Sequence, residues 1–303
     1  MKAPTRGGRF AVIAVPYAWL LAFFLLPFLV VARISISEME TTTIKDIVTW
    51  NDGAIAFSIR LGNYLLLAQD DLYLRTYASS LVYAAVTTIL CLAIGYPFAY
   101  FMARARRSLQ PALLMLVMLP FWTSFLLRVY AWKALLTEQG LVANAIEAIG
   151  LDRVLATLGL IPAPGQLMNT PFSLVLGMTY TYLPFMILPL YSNLAKMDLH
   201  LLEAAADLGA SAWTAFWRIT VPLSRAGIIA GAMLVFIPCV GEYVIPELLG
   251  GPQTQMIGRT LWDEFFSNND WPMACAVAVT MVLLVIVPVA LFSRYEAEAA
   301  RPA

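Results

Sequence analysis

Charge is what this sequence has least of. Asp, Glu, Lys and Arg make up 13% of its 303 residues, about half the share of an ordinary soluble domain. Apolar residues reach 61% and mean hydropathy is +0.77. A water-soluble fold of that composition would expose large apolar patches and aggregate. Histidine is nearly absent: His200 stands alone. With no His or Cys companion nearby it makes no metal site, and it reads as a solvated or packed loop residue. Cysteine is scarce too. Cys91, Cys239 and Cys275 lie far apart inside apolar runs, which makes them small buried hydrophobes rather than disulfide partners or zinc ligands. Net charge is zero and no Lys/Arg cluster suggests nucleic acid as a partner. No Gly-x-x-x-x-Gly-Lys-Ser/Thr run occurs either, so the chain cannot cradle ATP phosphates in the P-loop manner. One histidine also gives poor support to a membrane-embedded enzyme, which would need paired catalytic groups such as His/Asp metal ligands or a Ser/His arrangement.

What is there is a set of long apolar runs. A helix crosses a bilayer with roughly 20 mostly apolar residues, and six segments qualify: about Phe10–Ile34, Tyr77–Ala103, Pro111–Leu136, Phe172–Ser192, Arg225–Leu249 and Trp271–Phe292. The expected fold is therefore all-α, a polytopic bundle of about six spans making a single transmembrane domain over residues 1–303. The first run has the basic start of a signal peptide, but its apolar stretch is too long and no small-residue cleavage site comes after it. It is expected to stay as a span.

Lys and Arg set the orientation. One side receives Lys2, Arg6 and Arg9, then Arg104, Arg106 and Arg107, then Lys196, Arg218 and Arg225, and finally Arg294 and Arg301. The other holds Arg33, Lys45, Arg60, Arg75, Arg153 and Arg259 over longer loops, together with Glu38, Glu40, Asp46, Asp52, Asp70, Asp71, Glu138, Glu147 and Asp152. Both termini are thus expected in the cytoplasm, with an even number of spans. The long connection from Ser35 to Asp71 would lie on the opposite side and is expected to hold a surface helix.

Pro97, Pro120, Pro184, Pro189, Pro238, Pro246 and Pro288 fall inside the spans. Each removes a backbone donor and tends to kink its helix, which a membrane tolerates only where protein or water re-satisfies the carbonyls. Gly227 and Gly231, beside Ala226 and Ala230, form a small-residue face. Such a face packs helices closely, either within the chain or against a partner subunit.

The connection of residues 193–224 is the longest on the basic side. Leu201, Leu202, Ala205 and Leu208, then Trp213, Phe216, Trp217 and Ile219, show a helical alternation, with Gly209 between the halves and Pro222 near the end. Glycine at that place turns or ends the first helix. Two short helices with a bend are expected, lying on lipid or offering an apolar ridge to a groove of a partner. The run Glu203-Ala204-Ala205, three residues, Gly209, nine residues, Ile219-Thr220-Val221-Pro222 resembles the EAA loop of ABC importer permeases, with Val221 where that family usually has Leu. The resemblance implies that Glu203, Ala204, Ala205, Gly209, Ile219 and Pro222 belong to a coupling helix that docks on a separate ATPase subunit.

Further runs extend it. Leu74-Arg75-Thr76-Tyr77, Leu119-Pro120-Phe121-Trp122-Thr123-Ser124, Arg128-Val129-Tyr130-Ala131-Trp132, Gly241-Glu242-Tyr243-Val244-Ile245-Pro246-Glu247-Leu248-Leu249-Gly250-Gly251 and Met256-Ile257-Gly258-Arg259 resemble the permeases of putrescine and spermidine/putrescine importers. That implies a MetI-like fold with a peripheral first helix, set in a bacterial inner membrane. It also implies a second homologous permease subunit, two ATPase subunits holding ATP and Mg, and a periplasmic substrate-binding protein. No cofactor is expected on this chain. Arg128, Lys133 and Glu242 are ionisable groups within spans, and such groups usually face a cavity or a partner. Glu242 would act as counter-ion to an ammonium group, with Tyr243, Trp122, Tyr130, Tyr180 and Tyr182 along the path; alternatively it pairs with Arg128 or Lys133. Glu247, Asp263, Glu264 and Asp270 would surround the outer mouth or form an ordinary solvated loop. The EAA pattern also serves importers of amino acids, sugars, metals and anions, and a self-gating channel would have no use for it.

Overall fold

The computed structural model describes residues 6–40, 43–44, 48–51, 54–57 and 60–299. Lys2, Lys45, Asp46, Asp52 and Arg301, which contribute to the expected orientation, lie outside the described residues. Among those described, Ile13–Ser35, Asp71–Arg104, Pro171–Leu194 and Trp271–Ala290 are each long and apolar enough to cross a bilayer. Two bent pairs, Gln110–Trp122 with Phe125–Leu136 and Ala212–Leu223 with Arg225–Val240, bring the count to as many as six.

The third expected span is not one straight helix. Its two arms meet at 87°. Pro120 sits in a tight 3₁₀ turn over Leu119–Trp122, and its carbonyl accepts the Thr123 N–H at 3.3 Å and the Thr123 hydroxyl at 2.8 Å. Thr123 is extended and Ser124 has ψ +137°, so the chain leaves in a new direction. The fifth expected span is also interrupted. Helix Arg225–Val240 contains Pro238 and stops at Gly241, and a separate short helix, Val244–Leu249, comes next. By contrast Pro171–Leu194 runs unbroken through Pro184 and Pro189. It starts from a capping box in which Thr170 Oγ1 accepts the Ser173 N–H at 3.2 Å and Ser173 Oγ accepts the Thr170 N–H at 3.1 Å.

The chain divides into two compact units. The first comprises Met1–Leu74 and Leu261–Leu284. Ile13–Ser35 is apolar all round with no buried residue in its most apolar stretch, as expected of a helix solvated by lipid. After it come two small antiparallel hairpins, Met39–Glu40 with Thr43–Ile44 and Val48–Asn51 with Ala54–Phe57, and then the helix Gly62–Gln69. The surface helix is found where it was expected; the hairpins were not foreseen. Asn63 ties this helix back, donating to the carbonyls of Ser35 at 3.1 Å and Ser37 at 3.0 Å. The buried carboxylate of Glu264 accepts from Tyr73 at 2.8 Å and Asn268 at 2.9 Å.

The second unit comprises Arg75–Thr260 and Val285–Ala303. Its core is Pro171–Leu194, which buries Leu174, Met178, Tyr182, Met186, Leu190 and Leu194. Arg225–Val240 lies against it through the small-residue face. A Cβ on Gly231 would come within 2.8 Å of the Met186 sulfur, and one on Gly227 within 2.8 Å of Asn193 Cβ. The two helices can be this close only because glycine has no side chain there. That face is therefore used within the chain. A satellite core of Leu136, Ala143, Leu155, Ile161 and Leu167 holds the short helices Leu141–Ala148 and Leu151–Thr157.

Candidate functional site

The connection after residue 194 folds as two short helices around a sharp turn. The first is His200–Asp207. It closes in a Schellman motif: Ala210 N–H donates to Ala205 O and Gly209 N–H to Ala206 O, both at 2.9 Å, with Gly209 at φ +81°. Only glycine takes that left-handed conformation without steric penalty. Ser211 then caps the next helix by accepting the Thr214 N–H at 3.2 Å. This helix, Ala212–Ala215, passes through a π turn over Phe216–Thr220 into Val221–Leu223, which carries Pro222. It bends by 64° into Arg225–Val240.

One face of this turn is apolar and open. Leu208 is 89% exposed and Trp213 71%, with Leu201 and Trp217 also exposed. Glu203 projects from the first helix, 3.0 Å from the exposed His200 ring, while Ala205 is buried and orients the helix. The opposite face is anchored. Phe216 sets its ring edge-on to Tyr96 at 5.7 Å and to Tyr100 at 5.8 Å, and Tyr96 shares a 2.8 Å hydrogen bond with Ser224. Both tyrosines belong to Asp71–Arg104. An aromatic contact and a hydroxyl pair thus connect the exposed turn to a long membrane helix.

Within the bundle, Glu242 lies at the break between Arg225–Val240 and Val244–Leu249 and is 9% exposed. Its Oε2 accepts from the Tyr182 hydroxyl. Its Oε1 accepts from the Val244 N–H at 3.1 Å and, more weakly, from Ile245 at 3.5 Å. The carboxylate therefore caps the short helix and fixes the tyrosine. A buried carboxylate held by such donors does not need a counter-cation to remain in place. Among the described residues Glu242 forms no ion pair with Arg128 or Lys133. Tyr180 lies edge-to-face with Trp132 at 5.3 Å and lines an apolar recess with Pro120 and Pro184. Trp122, on the elbow of the broken span, and Tyr130 are exposed.

Lys133 is exposed, three residues before the end of Phe125–Leu136. Arg128 is half-buried, its guanidinium 6.0 Å from the rings of both Phe121 and Phe125, and its Nε and Nη1 have no hydrogen-bond partner. Of the expected mouth acids, Glu247 pairs with Arg259 at 2.8 Å. Glu264 is held by Tyr73 and Asn268, and Asp270 accepts the Met273 N–H at 3.0 Å at the start of the last helix. Among the described residues no group of three His, Cys, Asp or Glu side chains is arranged to hold a metal ion. Tyr96, Tyr100 and Ser224 were missed from the sequence. The four-residue spacing of the two tyrosines places them on one helix face, but nothing in that spacing names Phe216 as their partner.

Residues 91–293 match the family described as binding-protein-dependent transport system inner membrane component. The chain is 36% identical to the spermidine/putrescine transport system permease protein PotB of Haemophilus influenzae, over 93% of this chain and 92% of that protein. It is 37% identical to PotB of Escherichia coli K12, over 88% and 90%. The fold is similar to that of a bacterial ABC transporter involved in the import of the acidic polysaccharide alginate, with a TM-score of 0.66 at 17% identity over 97% of this chain and 96% of that one. The MetNI methionine ABC transporter is similar at a TM-score of 0.53 and 16% identity, covering 75% and 96%. By this match and these likenesses, the chain belongs to the binding-protein-dependent inner membrane components, the permease subunits of ABC importers, and is a transport subunit rather than an enzyme.

Proposed function

We propose that this permease forms half of the translocation path of an importer for putrescine and spermidine. The observation that supports the substrate is the identity of 36–37% over about nine-tenths of the chain to permeases named for those amines. Both termini face the cytoplasm in this reading, and the turn around Glu203–Gly209 docks on one of two ATPase subunits. A second homologous permease completes the path, and a periplasmic binding protein delivers the cargo. ATP and Mg act on the ATPases. Closure of the ATPase pair pushes the turn, Phe216 carries the displacement to Tyr96 and Tyr100, and the bundle exchanges inward-open for outward-open states. Glu242 supplies negative charge beside the path, where a cationic amine competes with the Tyr182 hydroxyl for Oε2. Tyr243, Tyr180, Trp122 and Tyr130 offer faces to the ammonium groups and methylene chain.

The test is uptake by proteoliposomes holding the assembled complex with its binding protein. Labelled putrescine or spermidine should accumulate with ATP, and unlabelled amine should compete while sulfate should not. Glu242→Gln is expected to lower amine uptake at least tenfold while the complex still assembles. Competition by sulfate or molybdate alone would overturn the polyamine reading, and unchanged uptake by Glu242→Gln would remove the counter-ion.

A further inference from the structure

The second unit carries a cleft that the transport mechanism does not use. One wall is the stripe Val86, Leu90 and Ile94 of Asp71–Arg104, at four-residue intervals and all exposed. The facing wall is Phe172, Val175 and Leu176 near the start of Pro171–Leu194. Residues at these spacings share a helix face, so each wall is a continuous hydrocarbon ridge. The lining from Tyr83 to Ile94 spans about 16 Å of helix axis at about 1.5 Å per residue. That matches about half the roughly 30 Å hydrocarbon thickness of a bilayer, the depth of one leaflet.

The end of the cleft near Leu160 and Pro171 continues into a bay of different chemistry. Leu160 and Pro171 line both spaces, and the bay adds Asn169, Thr170 and Gln253. Exposed Arg153 precedes Ala156, which lines the bay, by three residues on the same short helix. The two spaces together make a one-leaflet hydrocarbon slot that opens, at the end where both helices begin, into a recess lined in part by Asn169, Thr170 and Gln253. A water-soluble solute does not have that shape, whereas an amphiphile does.

We infer that this groove holds one membrane phospholipid, with an acyl chain between the Val86–Leu90–Ile94 and Phe172–Val175–Leu176 ridges and the phosphate in the bay beside Arg153. The lipid wedges the long helix against Pro171–Leu194, the helix that packs on the glycine face. It therefore lies against the same helix that carries Tyr96 and Tyr100.

The test uses the assembled importer in nanodiscs containing phosphatidylglycerol with a photoreactive group at mid-chain, extracted into detergent before irradiation to strip bulk lipid. Mass spectrometry should place adducts on the ridges at least fivefold above those on the bare first span, Ile13–Ser35. Leu90→Trp with Val175→Trp, which fills the slot, should reduce ridge adducts at least fivefold. Arg153→Gln should reduce retention of phosphatidylglycerol about threefold relative to phosphatidylethanolamine. Equal labelling of ridges and first span in the wild-type complex overturns the proposal and needs no variant to fold. So does disulfide cross-linking of Leu90→Cys to a second permease chain, which would make the cleft a protein interface.

Discussion

Replacing Phe216 by alanine removes the edge-to-face contacts with Tyr96 and Tyr100 together. An aromatic pair of this geometry contributes about 0.5–1.5 kcal/mol beyond the area it buries. Two such pairs give about 1–3 kcal/mol between the exposed turn and the long membrane helix, equivalent to about 5–150-fold in a coupling constant. The Tyr96–Ser224 hydrogen bond stays, so the bundle should still fold and the ATPase should still bind the open face. The expected result is partial uncoupling: ATP hydrolysis persists with weaker stimulation by the loaded binding protein, and substrate moved per ATP falls at least fivefold. The assay measures hydrolysis and uptake on the same proteoliposomes. Tyr96→Phe keeps the ring and should change the ratio much less than Phe216→Ala, while Tyr96→Ala combined with Phe216→Ala should cost less than the two separate losses added. If Phe216→Ala leaves the ratio of transport to hydrolysis unchanged, or if the two changes prove additive, force does not pass through this aromatic contact.

The packing sets three further expected outcomes. Gly231→Val would drive a branched side chain into Met186; overpacking costs about 1–3 kcal/mol, so the melting temperature in detergent should fall, and Met186→Ala in the same chain should recover part of the loss. Gly209→Val places a β-branched residue at φ +81°, at a cost of about 1–2 kcal/mol; co-purification of the ATPase should drop severalfold, with Gly209→Asn affected less because Asn tolerates that region. Tyr73→Phe removes the 2.8 Å donor to buried Glu264; a hydrogen bond to a charged group contributes about 1.5–3 kcal/mol, so thermal stability should fall while Asn268→Ala adds to the loss.

Much of this protein was legible without coordinates because the membrane imposes strict rules on composition and length. Scarce charge and six apolar runs of about the right length are enough to specify a helical membrane protein, since a lipid-exposed backbone must satisfy its own hydrogen bonds. The exposed turn was equally readable. A left-handed glycine between two short amphipathic helices is a local matter, and Gly209 and Ser211 close and restart the helices by bonds within a few residues. Proline was less informative: Pro120 accompanies an 87° break, whereas Pro184 and Pro189 sit inside an unbroken helix. The difference lies downstream of the proline, where Thr123 and Ser124 leave the helical conformation and redirect the chain.

The tertiary structure alone decided the partners. The sequence placed Glu242 in a span with an ammonium group, Arg128 or Lys133 as its expected partner; folding brought the hydroxyl of Tyr182, 60 residues away in sequence, onto its carboxylate. The glycine face could have met another subunit, and it was contact with Met186 and Asn193 that put it inside the chain. Phe216 became the anchor of the turn only when Tyr96 and Tyr100, more than 100 residues earlier, came edge-on to its ring. Helix formation, capping and membrane insertion depend on near neighbours and on the solvent, both of which a sequence contains. Which side chain meets which across the bundle depends on how helices pack, and that is settled only when the whole chain closes on itself.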